Sequence, residues 1–196
     1  MPSRSFSKAA SRKNNARVFG AFLTFTAALI ATPVAGQSLT LEASSGPQGI
    51  RATVSFQWNK ESELVSSVRD GMEARIVFTL RVYQKNAGFL PFLRDKLLKE
   101  TRVARSAFWD FLDRKFVVES DDGTRSNYDS PSDLLSGFLS LRDFPLSRLP
   151  ARPGEQRYVT ARALLEPVRL MPPLTIVTLA GAAATYTTPW ERRDLP

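Results

Sequence analysis

Two stretches of this chain alternate in solubility, one at every residue and one with Val77 as its exception, and no other feature narrows the possible folds so much. In 50–58 the apolar residues Ile50, Ala52, Val54, Phe56 and Trp58 interleave with Arg51, Thr53, Ser55 and Gln57. In 73–84 the row Ala74, Ile76, Phe78, Leu80 and Val82 interleaves with Arg75, Val77, Thr79, Arg81 and Tyr83. Successive strand residues point to opposite faces, so period two gives each stretch one apolar side and one wet side. An apolar sheet face must be covered, and the simplest cover is a second sheet.

The remaining segments are read in the same way. Lys60–Asp70 has Leu64, Val65 and Val68 at helical spacing, with Gly71 where a left-handed cap belongs. Strand character returns in Arg102–Asp113, and Lys115–Ser120 and Thr124–Tyr128 flank the turn Asp121-Asp122-Gly123. Ser130-Pro131-Ser132-Asp133 opens a helix whose apolar face begins at Leu134. Arg142–Glu155 holds three prolines and reads as loop. Tyr158–Glu166 reads as a strand, Leu174–Leu179 as a helical turn or buried strand, and Tyr186–Arg192 as a last strand with Pro189 at an edge or bulge. Helices do not alternate regularly with strands, which speaks against a doubly wound parallel sheet. The expected fold is mainly β: an antiparallel β-sandwich of six to seven strands with two or three short helical insertions.

The chain opens with Arg4, Lys8, Arg12, Lys13 and Arg17, then the apolar run Val18–Thr32, Pro33 and the small residues Val34-Ala35-Gly36. Basic start, short apolar core and small-residue exit is the layout of a secretory signal peptide, expected over 1–36. Fifteen apolar-run residues fall short of the roughly 20 that span a bilayer, so cleavage is favoured over retention as an anchor. Residues 37–49 then read as a short linker, and 50–196 as a single sandwich domain. Without the leader, twenty-two basic and nineteen acidic residues leave a charge of +3 instead of +8. That removes the reason to expect a nucleic-acid partner.

The chain has no histidine and no cysteine. Serine triads, cysteine–histidine dyads and histidine-held zinc or haem are therefore excluded. Carboxylate pairs, Ser-Lys dyads, tyrosine and oxygen-ligand metal sites survive, and no phosphate-cradling glycine motif is present. Asp121, Asp122, Asp129 and Asp133 form the densest carboxylate group, but they lack the calcium-loop order and read as turn and helix-cap residues. Glu61, Glu63, Asp110, Asp113 and Glu119 are the acids from which a hydrolase pair would have to come.

The succession of landmarks has a likeness. The strand 73–84, the bulky apolar insertion after it, Ala107–Leu112 (AFWDFL) and Lys115-Phe116-Val117-Val118 before a hairpin begin it. Pro153-Gly154 with Tyr158, Leu170–Leu174 (LMPPL) and Tyr186-Thr187-Thr188-Pro189-Trp190 continue it. This order resembles the bacterial family catalogued as domain of unknown function 4390, over about residues 50–192. The resemblance implies an exported protein with an envelope role and brings no activity or cofactor with it. The run AAATYTTPW departs from the more polar tail of that pattern.

Two surfaces stand out as contact candidates. Phe89, Leu90, Phe92 and Leu93 surround Pro91 and are followed by Arg94, Lys96 and Lys99, a composition suited to a membrane surface or a partner's groove. The alternative is that Phe89–Leu98 folds back as a short amphipathic helix on the core. Arg69, Arg75 and Arg81, with Tyr83, form a basic row suited to an acidic partner or polysaccharide. The function expected is therefore a non-enzymatic binding or accessory protein of the cell envelope, touching an envelope protein or membrane surface and using no cofactor or metal. The alternative is a carboxylate-dependent hydrolase of an envelope polymer. A carrier of apolar ligands would need an open cavity between the sheets.

Overall fold

The computed structural model describes residues 36–86, 94–148, 155–169 and 185–195. Within them the order is β1 (Gln37–Gly46), β2 (Gly49–Trp58), α1 (Glu61–Arg69), β3 (Glu73–Gln84), β4 (Lys96–Asp110), β5 (Lys115–Ser120) and β6 (Arg125–Tyr128). Then follow α2 (Pro131–Phe138), β7 (Ser140–Ser147), β8 (Arg157–Arg169), β9 (Tyr186–Thr187) and β10 (Glu191–Asp194). The strands form a three-stranded sheet, β1-β2-β7, and a seven-stranded sheet, β10-β8-β3-β4-β5-β6, with β9 also on β8. Every pairing is antiparallel.

The two alternating stretches are β2 and β3, and their apolar rows point at each other. Ile50, Val54 and Phe56 of β2 are buried with Ile76, Phe78 and Leu80 of β3 in one cluster. β8 adds Val159, Ala161, Ala163 and Leu165, and β5 adds Phe116 and Val118. This is a mainly β sandwich with its core between the sheets. The helices close the ends of that core. α1 contributes Leu64 and Val68, and α2 contributes Leu134 and Phe138. Ser130 caps α2: its hydroxyl accepts from the Asp133 amide at 3.1 Å, with Pro131 in the first turn. Gly71 ends α1 at φ +90, a backbone region suited to glycine.

Several sequence expectations are corrected. Residues 37–49, read as a linker, are β1 and its turn onto β2. Only Leu39 and Leu41 are buried on β1, and Ala43, Ser44 and Ser45 are too small to mark an apolar face. Arg142–Glu155, read as loop, begins inside β7, which runs to Ser147. Pro145 is tolerated there because β7 is an edge strand, where a missing amide need not break a ladder. β7 also bulges: Asp143 sits at φ 47, and the register onto β2 shifts on either side of Arg51 and Ala52. Arg51 holds the bulge through Asp143 Oδ1 at 2.5 Å and Asp143 O at 2.7 Å.

The expected last strand is two short ones, interrupted at Thr188, Pro189 and Trp190. β4 starts at Lys96 and stops at Asp110, so Lys96, Leu97 and Leu98 are strand and not amphipathic helix. Leu174–Leu179 lies outside the described residues, as do residues 1–35 of the expected signal peptide. No helix among the described residues is long and apolar enough to cross a membrane.

Candidate binding surface

The outer face of the larger sheet is unusually rich in arginine and aromatic rings, and strand register brings them together. In one row Arg192 of β10 is opposite Thr160 of β8, Thr160 is opposite Arg81 of β3, and Arg81 is opposite Glu100 of β4. In the next row Arg162, Thr79 and Arg102 follow across β8, β3 and β4. On the other side lie Asp194, Tyr158, Tyr83 and Leu97. Residues two apart on a strand share a face, so these three rows form one continuous surface.

The aromatic rings hold the guanidinium groups in place. Arg81 and Arg162 lie 4.4 and 4.8 Å from the centre of the Trp190 ring. Arg192 lies 3.7 Å from the Tyr158 ring, and Tyr158 is stacked on Tyr83 with centroids 5.0 Å apart. Such cation–π contacts fix a guanidinium plane and leave its edge N–H groups for other partners. Trp190 is anchored from below by Thr188, only 2% exposed, whose amide donates to Ala163 O and whose hydroxyl accepts from Ala163 N, both at 3.0 Å. Pro189 interrupts the ladder, and β9 and β10 continue along the same strand, β8, with one extra residue between them.

Arg81, Tyr83, Tyr158, Thr160, Trp190 and Arg192 line an open groove of ≈ 780 Å³, to which Arg94 and Asp95 also contribute, and Arg162 adjoins it through the Trp190 ring. Its charges are organised. Glu100 accepts from Arg81 at 2.7 Å and pairs with Arg102 at 3.0 Å. Asp194 pairs with Arg192 at 3.1 Å and Lys85 at 3.4 Å. Asp95 accepts from the Asn86 amide at 2.9 Å and the Tyr158 hydroxyl at 2.8 Å. All three carboxyls are held below their ordinary range: Glu100 by Arg81, Asp194 by Arg192, and Asp95 by the Asn86 amide and then Tyr158. Burial and the bond to Asp95 push the Tyr158 phenol up to about 12.

Arg81, Arg94 and Arg192 line the groove against Asp95, and Lys85, Arg102 and Arg162 lie around it with Glu100 and Asp194, six cations to three carboxylates. Among the described residues no carboxylate lies in ion-pair range of Arg94 or Arg162. A surface of this kind attracts oxyanions and offers them planar, two-pronged donors.

The structure distributes the expected site residues unevenly. Arg94 lines the groove, and Lys96 begins β4 opposite Gln84. Phe89, Leu90, Phe92 and Leu93 lie outside the described residues. Of the basic row, Arg81 and Tyr83 are in the groove, and Arg75 is on the same strand face, 3.8 Å from Asp121. Arg69 does not join them: it sits on α1, over the inward-facing rings of Trp109 and Phe116. Sequence reading missed Thr160, Arg162, Trp190 and Arg192. The signal available for β8 was the alternation Tyr158, Thr160, Arg162 on the wet side of a strand.

Three of the five acids weighed for hydrolysis, Asp110, Glu119 and Glu63, have local tasks. Asp110 accepts from the amides of Leu112 and Asp113 at 2.8 and 3.2 Å and closes the β4–β5 turn. Glu119 pairs with Arg125, and Glu63 with Lys60. In the aspartate group, Asp122 accepts from the Thr124 amide, Asp133 belongs to the α2 cap, and Asp129 pairs with Lys115.

A second cleft, of ≈ 380 Å³, lies beside α2 and contains Arg105 and Arg142. Arg105 is directed mainly at protein: its Nη1 donates to Gly137 O and Ser140 O, both at 2.5 Å. Comparison with known families, curated proteins and solved structures finds no match for this chain.

Proposed function

We propose that this chain is an exported, non-enzymatic binding protein of the bacterial cell envelope, and that it binds through the arginine–aromatic groove on the outer face of its larger sheet. The observation behind this reading is the groove itself: guanidinium groups from adjacent strands, positioned by Trp190 and Tyr158, with positive charge in excess. Export is supported by the basic, apolar and small-residue succession of 1–36. A binding role is supported by a chain without histidine or cysteine whose candidate acids close turns and pair with nearby cations. The likeness to domain of unknown function 4390 agrees with an envelope location. Arg94 follows Phe89–Leu93 directly, so that apolar segment is proposed to border the same contact.

The test is retention of envelope extract on the immobilised chain. Wild type and the Arg142→Ala control, altered beside α2, are expected to hold the same material and release it at raised salt. The Arg162→Ala/Arg192→Ala double variant is expected to hold much less. Equal retention by the double variant would remove the groove from the function.

A further inference from the structure

The groove's ligand can be narrowed by chemistry, on the footing that the groove is the contact surface. We infer that it takes an anionic glycan, with carboxylate or phosphate substituents on the arginine edges and sugar rings on the aromatic floor.

Three observations lead there. The first is the charge excess around guanidiniums fixed against Trp190 and Tyr158: Arg81 and Arg192 already give N–H groups to Glu100 and Asp194, and Arg162 has no carboxylate in ion-pair range among the described residues. A prepositioned fork loses little freedom on meeting a carboxylate or phosphate, which it matches with two parallel hydrogen bonds. The second is the mixed floor. Trp190 and Tyr83 are only half-buried, and Thr160 lies between Arg81 and Arg192 in the register. Partly uncovered rings suit the C–H faces of a sugar, and a threonine hydroxyl suits its hydroxyls.

The third observation separates a glycan from an acidic peptide. The middle of the groove, with Thr160, Arg81 and Tyr83, lies over β8 and β3, whose backbone groups are paired on both sides there, while the outer edge of β10 and the 96–103 stretch of β4 have no second strand partner among the described residues. A peptide laid over that middle finds no free strand edge for its own amides unless it shifts to a border of the face, whereas a glycan has no backbone amides to satisfy. The volume of ≈ 780 Å³ is within the roughly 300–1,000 Å³ of small-ligand clefts, enough for a short oligosaccharide and small for a folded partner's footprint.

The test titrates the purified full chain with four labelled probes of equal length: an oligouronate, its carboxyl-reduced neutral form, a phosphate-substituted oligosaccharide and poly-glutamate. Affinity for at least one anionic sugar is expected to exceed that for the neutral sugar and for poly-glutamate by at least tenfold, and to fall as salt rises. The tighter of the two anionic sugars identifies the oxyanion. Arg162→Ala/Arg192→Ala is expected to lose that preference. Arg162→Lys/Arg192→Lys, which keeps charge and fold but not the fork, is expected to bind several-fold more weakly than wild type.

Poly-glutamate binding as tightly as the sugars would replace the glycan with an acidic protein. Equal affinity for the neutral sugar would remove the oxyanion. Failure of all four probes, with extract retention still dependent on Arg162 and Arg192, would overturn the glycan alone. Failure of both experiments would overturn the groove itself.

Discussion

At Tyr158 the ring and the hydroxyl have different partners, which makes its substitution informative. Phenylalanine keeps the stack on Tyr83 and the Arg192 contact but drops the 2.8 Å bond to Asp95. Tyr158→Phe is expected to cost about 1.5 kcal/mol in urea unfolding, the usual worth of a bond to a charged acceptor. The difference should depend on pH. A phenol raised from 10.0 to about 12 stabilises the fold below pH 10 and loses that contribution as pH rises to 12. Asp95, lowered, contributes above the ordinary carboxylate range and loses its share as pH falls through its depressed value. Wild type minus Tyr158→Phe should therefore be flat from about pH 5 to 9 and shrink on both sides. Leu112, 94% exposed at the β4–β5 turn, provides the contrast: Leu112→Ser is expected to move stability by no more than about 0.5 kcal/mol.

Among the elements, the β1–β2 hairpin rests on a single close approach. Gly49 has φ +105, and a Cβ there would lie 1.9 Å from the Ser147 carbonyl of β7. Gly123, at φ +82 in the β5–β6 turn, has open space around it. Both positions strain an alanine, but only Gly49→Ala also forces β7 away from β2. It is expected to lower the unfolding midpoint clearly more than Gly123→Ala, whose cost is about 1 kcal/mol.

These elements also show what could be read in advance. β2 and β3 were legible because large apolar residues alternate without a gap, and α2 because serine, proline and aspartate mark its start. β1 was not, since four of its ten residues are serine or threonine, and β7 was hidden by Pro145 and its bulge. The groove was legible only at Arg81, Tyr83 and Arg94. Arg162, Trp190 and Arg192 join them through cross-strand register and the extra residue that the chain carries at Pro189, and although alternation puts Arg162 on a wet face, the sequence does not say which strands lie beside it.

For the molecule as a whole, the core and the binding face are two sides of the same strands. β3 sends Phe78 and Leu80, both fully buried, inward, while Arg81 and Tyr83 face the groove. Phe78→Ala is expected to cost about 3–5 kcal/mol and to loosen the groove with the sandwich, since the strand that loses its packing also carries Arg81. Substitutions of the wet-side arginines Arg162 and Arg192 should leave the unfolding midpoint nearly unchanged while altering what is bound. The most direct test of this division is photo-crosslinking in intact cells, with a photoactivatable residue at Thr160 on the groove floor or at Gln57 on the outer face of the smaller sheet. Adducts at Thr160 and few at Gln57 are expected. Adducts at Gln57 with none at Thr160 would contradict a binding face on the larger sheet.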